Sequence, residues 1–310
     1  MHQYLKYKDL FQKIYSDNQL ETNANMSEHI YFKVGGPVDI LLNPSSVEQI
    51  VETLKICKEK NIPYYVIGNG SNLLVKDGGI RGVVIKLSAL NTIQVNGNEV
   101  KAETGALLKD VSAEAVKNSL TGFEFACGIP GSVGGAVFMN AGAYDGEVKN
   151  VIKEAEIIDN EGNIVTYSKD ELELGYRTSR VMKDGFIVIS ATFELNNGEE
   201  EKVKARVDEL TLKREEKQPL EYPSAGSTFK RPEGHFAGKL IQDAGLKGFA
   251  IGGAAVSEKH SGFVINRGGA KAKDILDLIS HIQEEVKKQF DVDLHPEVRI
   301  LGEDSIEIEE

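Results

Sequence analysis

A glycine-rich segment in the middle of the chain reads Cys127-Gly128-Ile129-Pro130-Gly131-Ser132-Val133-Gly134-Gly135-Ala136. It is followed at once by Met139-Asn140-Ala141-Gly142-Ala143-Tyr144. Glycine has no Cβ, so such a backbone can approach a flat, bulky ligand closely and offer it amide hydrogen bonds. The alternative is a tightly packed structural turn. Apolar residues throughout the segment argue against a linker, because a linker is polar and solvated.

A second segment of the same kind, Gly68-Asn69-Gly70-Ser71-Asn72, follows a predicted strand at Tyr64–Ile67. Its glycines allow left-handed turns, and its amides could form a concave cradle for a diphosphate. Leu73 stands where a dinucleotide-binding Gly-x-Gly-x-x-Gly motif needs its third glycine, and no helical pattern follows. A Rossmann site is therefore disfavoured. Alone the segment is consistent with a plain turn, but two such segments in one chain favour a bound cofactor.

The composition is that of a globular protein with more than one domain. The chain has 310 residues, of which 41% are hydrophobic and 27% are charged, and no apolar run approaches the length of a membrane span. The first residues lack the features of a secretory signal, so we expect a cytoplasmic location. A net charge of −12 argues against nucleic-acid binding.

The cysteines and histidines do not predict a metal site or a disulfide framework. The two cysteines, Cys57 and Cys127, are too few for a disulfide framework, and they have no Cys-x-x-Cys spacing that would suggest zinc. The six histidines include no close pair and no His-Glu-x-x-His motif. We expect no metal.

The hydrophobic pattern predicts an α+β protein. Strands are expected at Ile30–Val34, Val38–Leu42, Tyr64–Ile67, Val83–Leu87, Ala155–Asp159, Asn163–Tyr167, Phe186–Phe193 and Glu297–Leu301, with a hairpin of Thr92–Val95 and Val100–Thr104 around Asn96-Gly97-Asn98. Helices are expected at Val47–Glu59, Lys109–Lys117, Glu200–Lys217 and Ala272–Phe290. The helix that ends before Pro219 marks a domain break, and the last third is a separate unit.

Three polar residues lie among small or apolar neighbours: Arg177 in Gly-Tyr-Arg-Thr-Ser, Ser227 in Ser-Ala-Gly-Ser-Thr-Phe-Lys, and Glu297 in His-Pro-Glu-Val-Arg-Ile. Singly, each has an ordinary explanation, namely an ion pair for Arg177, a cap for Ser227 and a surface charge for Glu297. No Gly-x-Ser-x-Gly motif surrounds Ser227, so it is not indicated as a hydrolase nucleophile.

Taken together, the motifs resemble the UDP-N-acetylenolpyruvoylglucosamine reductase family. The matching segments run in family order along nearly the whole chain: Phe32–Gly36, Gly68–Asn72, Gly78–Gly82, Gly128–Gly135, Asn140–Gly142, Tyr176-Arg177, Lys217–Pro219, Gly226–Lys230 and Pro296–Arg299. The short stretch between Phe193 and Lys217 is similar to the shorter class of the family, which lacks an extra lid over the substrate.

The resemblance implies a fold and a domain plan. The family has a two-part FAD-binding domain of the vanillyl-alcohol-oxidase (PCMH) type, followed by an α+β substrate-binding domain. On this chain the plan assigns residues 1–88 and 89–205 to the two FAD-binding subdomains and residues 206–302 to the substrate-binding domain. Residues 303–310 form an acidic tail.

The resemblance also implies a reaction. NADPH would reduce non-covalently bound FAD, and the enolpyruvyl group of UDP-N-acetylglucosamine enolpyruvate would then be reduced to give UDP-N-acetylmuramate for peptidoglycan synthesis. We expect a monomer. In some family members an asparagine stands where this chain has Arg231, so the diphosphate-binding role of that position is not transferred.

Site residues follow from the same resemblance, position by position. Ser227 would be the proton donor, with Arg177 and Glu297 as its catalytic partners. Substrate contacts are expected from Lys217, Lys230 and Tyr176. The FAD-binding set comprises Gly68, Asn69, Gly70, Ser71, Asn72, Gly128, Ile129, Pro130, Gly131, Ser132, Gly134, Gly135, Asn140, Ala141 and Gly142.

Two other functions are compatible with parts of this pattern. An oxidase on the same flavin fold would use O₂, and among the glycine-rich segments only Cys127 could tether the flavin covalently. A non-catalytic module that binds nucleotide sugars would keep Lys217 and the last domain, but would not need two glycine-rich segments.

Overall fold

The computed structural model describes residues 3–305, which form three lobes. The first lobe contains helices α1 (Lys8–Phe11) and α2 (Val47–Lys60), and strands β1 (Leu20–Asn25), β2 (Pro37–Leu42), β3 (Tyr64–Ile67), β4 (Leu73–Val75) and β5 (Ile80–Lys86). Its main sheet has the order β1-β2-β5-β3. In the β2-α2-β3 unit, β3 is an edge strand of this sheet, and the glycine-rich segment Gly68–Asn72 follows it directly.

The second lobe is built on a five-stranded antiparallel sheet of order β12-β11-β13-β7-β6. Its strands are β6 (Ile93–Asn96), β7 (Glu99–Glu103), β8 (Leu120–Thr121), β9 (Gly142–Ala143), β10 (Gly146–Glu147), β11 (Ile152–Ile158), β12 (Ile164–Ser168), β13 (Ile187–Glu194) and β14 (Asn196–Asn197). Its helices are α3 (Leu108–Lys117), α4 (Val133–Met139), α5 (Val148–Val151), α6 (Arg180–Asp184) and α7 (Glu200–Lys217). A core of its own lies under α3 and α4.

The third lobe consists of α8 (Ala237–Asp243), a small sheet of β15 (Ala250–Ile251), β16 (Ala254–Val256) and β17 (Val264–Asn266), and the long helix α9 (Ala272–Phe290). Its last strand, β18 (Arg299–Leu301), returns to the first lobe and pairs in parallel with β4. The apolar face of α9 packs into a core shared with the first lobe. The pairing of β18 with β4 therefore joins the end of the third lobe to the first lobe.

Most predicted elements agree with the structure within a few residues, and α7 and α9 agree exactly. The strand predicted at Ile30–Val34 is wrong. Ile30, Phe32 and Val34 are buried as their alternation predicts, but Lys33 has a φ of +56° and the segment turns. Its backbone is satisfied by other partners, since the Tyr31 amide donates to Gly70 O at 3.1 Å.

The predicted break between residues 205 and 206 falls inside α7. This helix is continuous to Lys217 and packs against α3 and β8 of the second lobe. The backbone leaves the second lobe only after it. Within residues 3–305, no helix combines the length and the apolar composition that crossing a bilayer requires.

Candidate active site

A cleft of about 1010 Å³ lies where the three lobes meet. Binding pockets typically measure about 300 to 1,000 Å³, so this one lies at the upper end of the range and can hold a large ligand. The first lobe contributes Gly68–Asn72, the second lobe contributes Ile129–Ser132 and Tyr176-Arg177, and the third lobe contributes Ser227 and Glu297. The cleft thus brings together residues that are up to 237 positions apart in the chain, counted from Tyr64 to Leu301.

The two glycine-rich segments touch each other along one wall of the cleft. Asn69 Nδ2 donates to Pro130 O at 2.7 Å, which joins the first segment to the second. A Cβ on Gly68 would lie 2.3 Å from Ser132 Oγ, and a Cβ on Gly70 would lie 2.6 Å from His29 O. Gly70 also has a φ of +68°. Glycine is required at Gly70 because of this φ and the close backbone of His29, whereas a side chain at Gly68 would have to displace the Ser132 hydroxyl.

The second segment turns into a helix, which the sequence analysis missed. α4 begins at Val133, so Gly134 and Gly135 lie in its first turn and line the cleft together with Ser132. Gly134 N donates to Thr104 O at 2.8 Å, and a Cβ there would lie 2.0 Å from Thr104 Oγ1. Close packing against β7 and the following turn thus overrides the poor helix propensity of glycine.

The predicted FAD-binding residues do not all face the cleft. Ala141 and Gly142 line it, but Gly128 and Asn140 do not. Asn140 is buried; its Nδ2 donates to Gly175 O at 3.0 Å, and its Oδ1 accepts from Lys149 N at 2.9 Å. The structure therefore gives Asn140 a different task, which is to hold the loop that carries Arg177.

Gly128 packs against the side chain of Arg214, a residue that the sequence analysis did not identify. A Cβ on Gly128 would lie 2.6 Å from Arg214 Cδ, so the side chain of Arg214 passes over this glycine and reaches the cleft. No carboxylate within the described residues forms an ion pair with Arg214, and burial lowers its pKa. A partly buried guanidinium without a carboxylate partner is costly, so it indicates an anionic ligand group nearby.

The sequence around Arg214 differs from that around most other cations of α7. Other cations of α7 pair with acids three or four positions away: Lys202 with Glu199, Lys204 with Asp208, and Arg206 and Lys213 with Glu209. Arg214 has Leu210, Thr211, Lys217 and Gln218 at those positions, so it has no acid to pair with on the helix surface.

Arg177 and Glu297 form an ion pair across the cleft, although 120 residues separate them. Arg177 Nε donates to Glu297 Oε1 at 2.7 Å, and the two side chains are only 19% and 13% exposed. Gly175 and Thr178 exchange backbone hydrogen bonds, so Arg177 lies at the tip of a tight turn with a φ of +53°. Backbone strain of this kind is typical of functional sites.

The guanidinium of Arg177 keeps part of its donor capacity free. Its Nη1 and Nη2 atoms lie 3.4 Å from the carbonyl oxygens of Asn140 and Gly142, which are long hydrogen bonds. Burial raises the pKa of Glu297, while the charges of Arg177 and Lys230 oppose that rise. A carboxyl with a raised pKa can hold a proton nearer to neutral pH than an ordinary glutamate can.

Ser227 lines the same cleft, on the side of the third lobe. It follows Gly226, which has a φ of +74°, and precedes Thr228, whose buried Oγ1 accepts from Val264 N at 2.9 Å. Thr228 O also accepts from Glu297 N at 2.8 Å. The segment that carries Ser227 is therefore fixed to the segment that carries Glu297, while Ser227 itself is exposed to the cleft.

The three predicted substrate residues lie in different places. Tyr176 lines the cleft, and its hydroxyl accepts from Arg231 N at 3.0 Å. Lys217, the last residue of α7, is exposed and lines neither the cleft nor the small cavity beside it. Lys230 lines only that small cavity.

Sequence comparison assigns the chain to a family. Residues 218–301 match the C-terminal domain of UDP-N-acetylenolpyruvoylglucosamine reductase, and residues 38–168 match an FAD binding domain. A UDP-N-acetylenolpyruvoylglucosamine reductase of Clostridium botulinum strain Alaska E43 is 71% identical over 98% of this chain and all of its own length. One of Clostridium perfringens strain SM101 is 65% identical over the same shares.

The chain belongs to the UDP-N-acetylenolpyruvoylglucosamine reductase family. The crystal structure of this reductase from Thermus caldophilus, at 33% identity, superposes with a TM-score of 0.78 over 92% of this chain and 98% of its own. Phl p 4.0202, a glucose dehydrogenase, has a TM-score of 0.50 at 15% identity over 63% of this chain and 44% of its own, which shows only a shared fold. The predicted family, fold class and FAD cofactor are confirmed.

The residues of the cleft fit the FAD of this family. Three buried side-chain oxygens at the cleft have no hydrogen-bond partner within the described residues: Ser132 Oγ, Gln218 Oε1 and Ser261 Oγ. Buried polar atoms are nearly always satisfied, so a bound ligand is the natural partner of such atoms. Together with the unpaired Arg214 and the bare backbone of Gly68–Asn72, they provide both the polar contacts and the close approach that a large cofactor needs.

Two alternative site chemistries receive no support from the geometry. Cys127 Sγ lies 3.8 Å from Val207 O and 3.7 Å from Thr211 Oγ1, so it faces α7, and it does not line the cleft where it could tether a flavin. In the described part of the chain, no group of three or more His, Cys, Asp or Glu side chains is arranged to hold a metal ion.

Proposed function

We propose that this chain reduces the enolpyruvyl group of UDP-N-acetylglucosamine enolpyruvate to UDP-N-acetylmuramate, a step of peptidoglycan precursor synthesis, with FAD as its cofactor and NADPH as its reductant. The observation that carries the proposal is the Arg177–Glu297 pair, which closes on the same cleft as Ser227 and the two glycine-rich segments. The reaction is that of the reductases to which this chain is up to 71% identical over 98% of its length.

Arg177 and Glu297 would stabilise charge that develops on the substrate. The cofactor, when bound, supplies hydride-transfer chemistry, and hydride addition to the enolpyruvyl methylene carbon pushes negative charge onto the neighbouring carboxylate. Arg177 is permanently charged and keeps free N–H groups that can meet this carboxylate. Glu297 faces the same cleft and burial raises its pKa, so that when it carries a proton it could donate to the enolate-like oxygen.

Ser227 would protonate the adjacent carbon of that intermediate. Its hydroxyl lines the cleft and is free of the hydrogen bonds that hold Thr228. A serine hydroxyl is a weak acid, so the proton transfer needs nearby positive charge. Arg177 supplies a fixed charge on the same cleft, and the backbone bond between Thr228 and Glu297 keeps the Ser227 and Glu297 segments in one register.

The remaining assignments belong to the same proposal. FAD would be held by residues 68–72, residues 129–135, Ala141 and Gly142, and Tyr176 would contact the sugar nucleotide. Lys217 would contact it only if the α7 terminus moves toward the cleft. Residues 3–88 and 89–217 would form the FAD-binding part and residues 218–302 the substrate-binding part, of a cytoplasmic monomer that binds no nucleic acid.

Anaerobic stopped-flow absorbance tests the proposed function. NADPH is added first to the FAD-loaded protein and should bleach the visible absorption band of the flavin. The enolpyruvyl UDP-sugar is added next and should restore the band. A protein that is reoxidised by O₂ but not by the sugar nucleotide would point to an oxidase and overturn the proposal.

A further inference from the structure

A second cavity of about 230 Å³ lies behind the Arg177–Glu297 pair. Arg177, Glu297, Asn72, Met139 and Arg299 line both this small cavity and the cleft. The ion pair is therefore part of the wall between the two. The volume is enough for several water molecules, since each occupies about 30 Å³ in the liquid.

Lys230 reaches the small cavity and not the cleft. Its backbone N–H donates to His295 O at 2.8 Å, and Phe229 pairs with Pro296 as an antiparallel bridge. In this register Lys230 and Glu297 are diagonal neighbours on one face of the pair, a separation that long side chains span. Lys230 thus lies next to Glu297 at the small cavity and outside the cleft.

The small cavity collects three cations and one acid. Its charged lining residues are Arg177, Lys230 and Arg299 on the positive side, and Glu297 on the negative side. Arg177 is bonded to Glu297, and Arg299 lies over the ring of Phe138 with its Cζ 5.0 Å from the centroid. No carboxylate within residues 3–305 forms an ion pair with Lys230, so Glu297 is the acid that its charge faces.

We propose that Lys230 is a positioning residue that acts on the reaction through Glu297, as a positive charge across the small cavity, and does not bind the phosphates of the substrate. The inference rests on the proposed function for what Glu297 does, but it concerns the ionisation of Glu297 itself. A positive charge favours the carboxylate, so Lys230, together with the bonded Arg177, opposes the rise in the Glu297 pKa that burial causes. Glu297 can then exchange its proton as the reaction requires.

The proposal is tested first without turnover. The carboxyl carbons of glutamate are labelled with carbon-13, and the Glu297 signal is identified as the one missing from Glu297→Gln. Its titration is followed in the wild type, Lys230→Gln and Lys230→Arg. We expect the Glu297 pKa to be higher in Lys230→Gln and unchanged in Lys230→Arg, because only the former removes the charge. Lys288→Gln, an equal charge change on the exposed face of α9, should leave it unchanged.

Steady-state kinetics then separates the two possible roles of Lys230. If it acts through Glu297, Lys230→Gln shifts the pH profile of kcat/KM to higher pH and leaves KM for the sugar nucleotide within about twofold. A phosphate contact would instead raise KM roughly tenfold or more, with no change in the profile. That result, or a Glu297 titration that Lys230→Gln does not move, would overturn the inference. If the wild-type protein does not turn over the enolpyruvyl UDP-sugar, only the proposed reaction is overturned, because the Glu297 titration is measured without turnover.

Discussion

The third lobe meets the first lobe and the second lobe through two very different boundaries. Toward the first lobe it shares a hydrophobic core, in which Leu74 and Ile80 pack together with Ile275 and Leu278 of α9. β18 extends this contact by pairing in parallel with β4, and Asp77 of the first lobe accepts from the first backbone amides of α9. This boundary is apolar and continuous, as in the interior of a single domain.

Toward the second lobe the third lobe makes mainly polar contacts around an open cleft. Arg177 bonds Glu297, and Arg231 N donates to the hydroxyl of Tyr176. Both contacts come from the turn Tyr176-Arg177, whose backbone is strained at Arg177. We infer that the boundary with the first lobe stabilises the fold, whereas the boundary with the second lobe carries the candidate catalytic residues. Glu297 is positioned rigidly by the first boundary so that it can meet a charged partner from the second.

Removal of the Ser227 hydroxyl should give the largest effect and separate the two boundaries most clearly. Ser227→Ala should lower turnover by roughly 100-fold to 10,000-fold, the usual contribution of a positioned proton donor. Reduction of the flavin by NADPH should be unchanged, because the substitution removes only the later protonation. The melting temperature should also be unchanged, because Ser227 is exposed. Stopped-flow absorbance measures both half-reactions, and Ser224→Ala, outside the cleft, is the control. An equal loss in both half-reactions would contradict the role of Ser227.

A cavity in the shared core should have the opposite signature. Leu278 is fully buried on α9, so Leu278→Ala should destabilise the protein by about 2 to 5 kcal/mol. The folded fraction should keep nearly normal turnover, because no cleft residue is changed. Urea unfolding gives the stability, and Leu276→Ala, on a less buried position of the same helix, should cost less. A large loss of turnover per folded molecule would show that the two boundaries are coupled.

Asp77 tests the first boundary at a single polar contact. Its two carboxylate oxygens accept from Ala272 N at 2.8 Å and Lys273 N at 2.9 Å, at the positive end of the α9 dipole. Asp77→Ala should cost about 0.5 to 2 kcal/mol, the range for loss of a helix cap. Asp77→Asn keeps one acceptor and should cost less. Thermal melting measures both; equal stability of Asp77→Ala and the wild type would mean that α9 is held by its apolar face alone.

The scaffold was easier to predict from the sequence than the cleft. α9 was predicted to the residue because Ile275, Leu278, Ile279 and Ile282 repeat at helical spacing and all are buried. Ile30–Val34 shows the limit of the same reasoning, since the alternation predicts which side chains are buried but not that the chain turns at Lys33. α4 was missed because its glycines are poor helix formers, and only packing against Thr104 explains them.

The site could be reached from the sequence only in part. Nothing local to Arg177 or Glu297 indicates that they meet, because 120 residues separate them, and the pair was named only through the family resemblance. Spacing on α7 could have revealed Arg214, whose possible partners at three and four positions include no acid. Lys230 lies near Glu297 because its segment pairs in register with His295. Sequence alone does not fix this register, so it does not predict the position of Lys230.

The smallest expected effect is a pH dependence of stability that belongs to the second boundary. Burial raises the pKa of Glu297 above its ordinary value of 4.5, so the folded state binds its proton more tightly than the unfolded state does. Stability from this group is therefore fully present below pH 4.5 and declines as the pH rises through the folded pKa. Glu297→Gln has no such proton, so its unfolding free energy relative to the wild type should increase with pH across this window. Urea unfolding of both proteins from pH 4.5 upward measures the difference. A difference that is constant, or that runs the other way, would mean that Arg177 outweighs burial and holds Glu297 ionised, so that the cleft boundary would be a permanent salt bridge and Glu297 no acid.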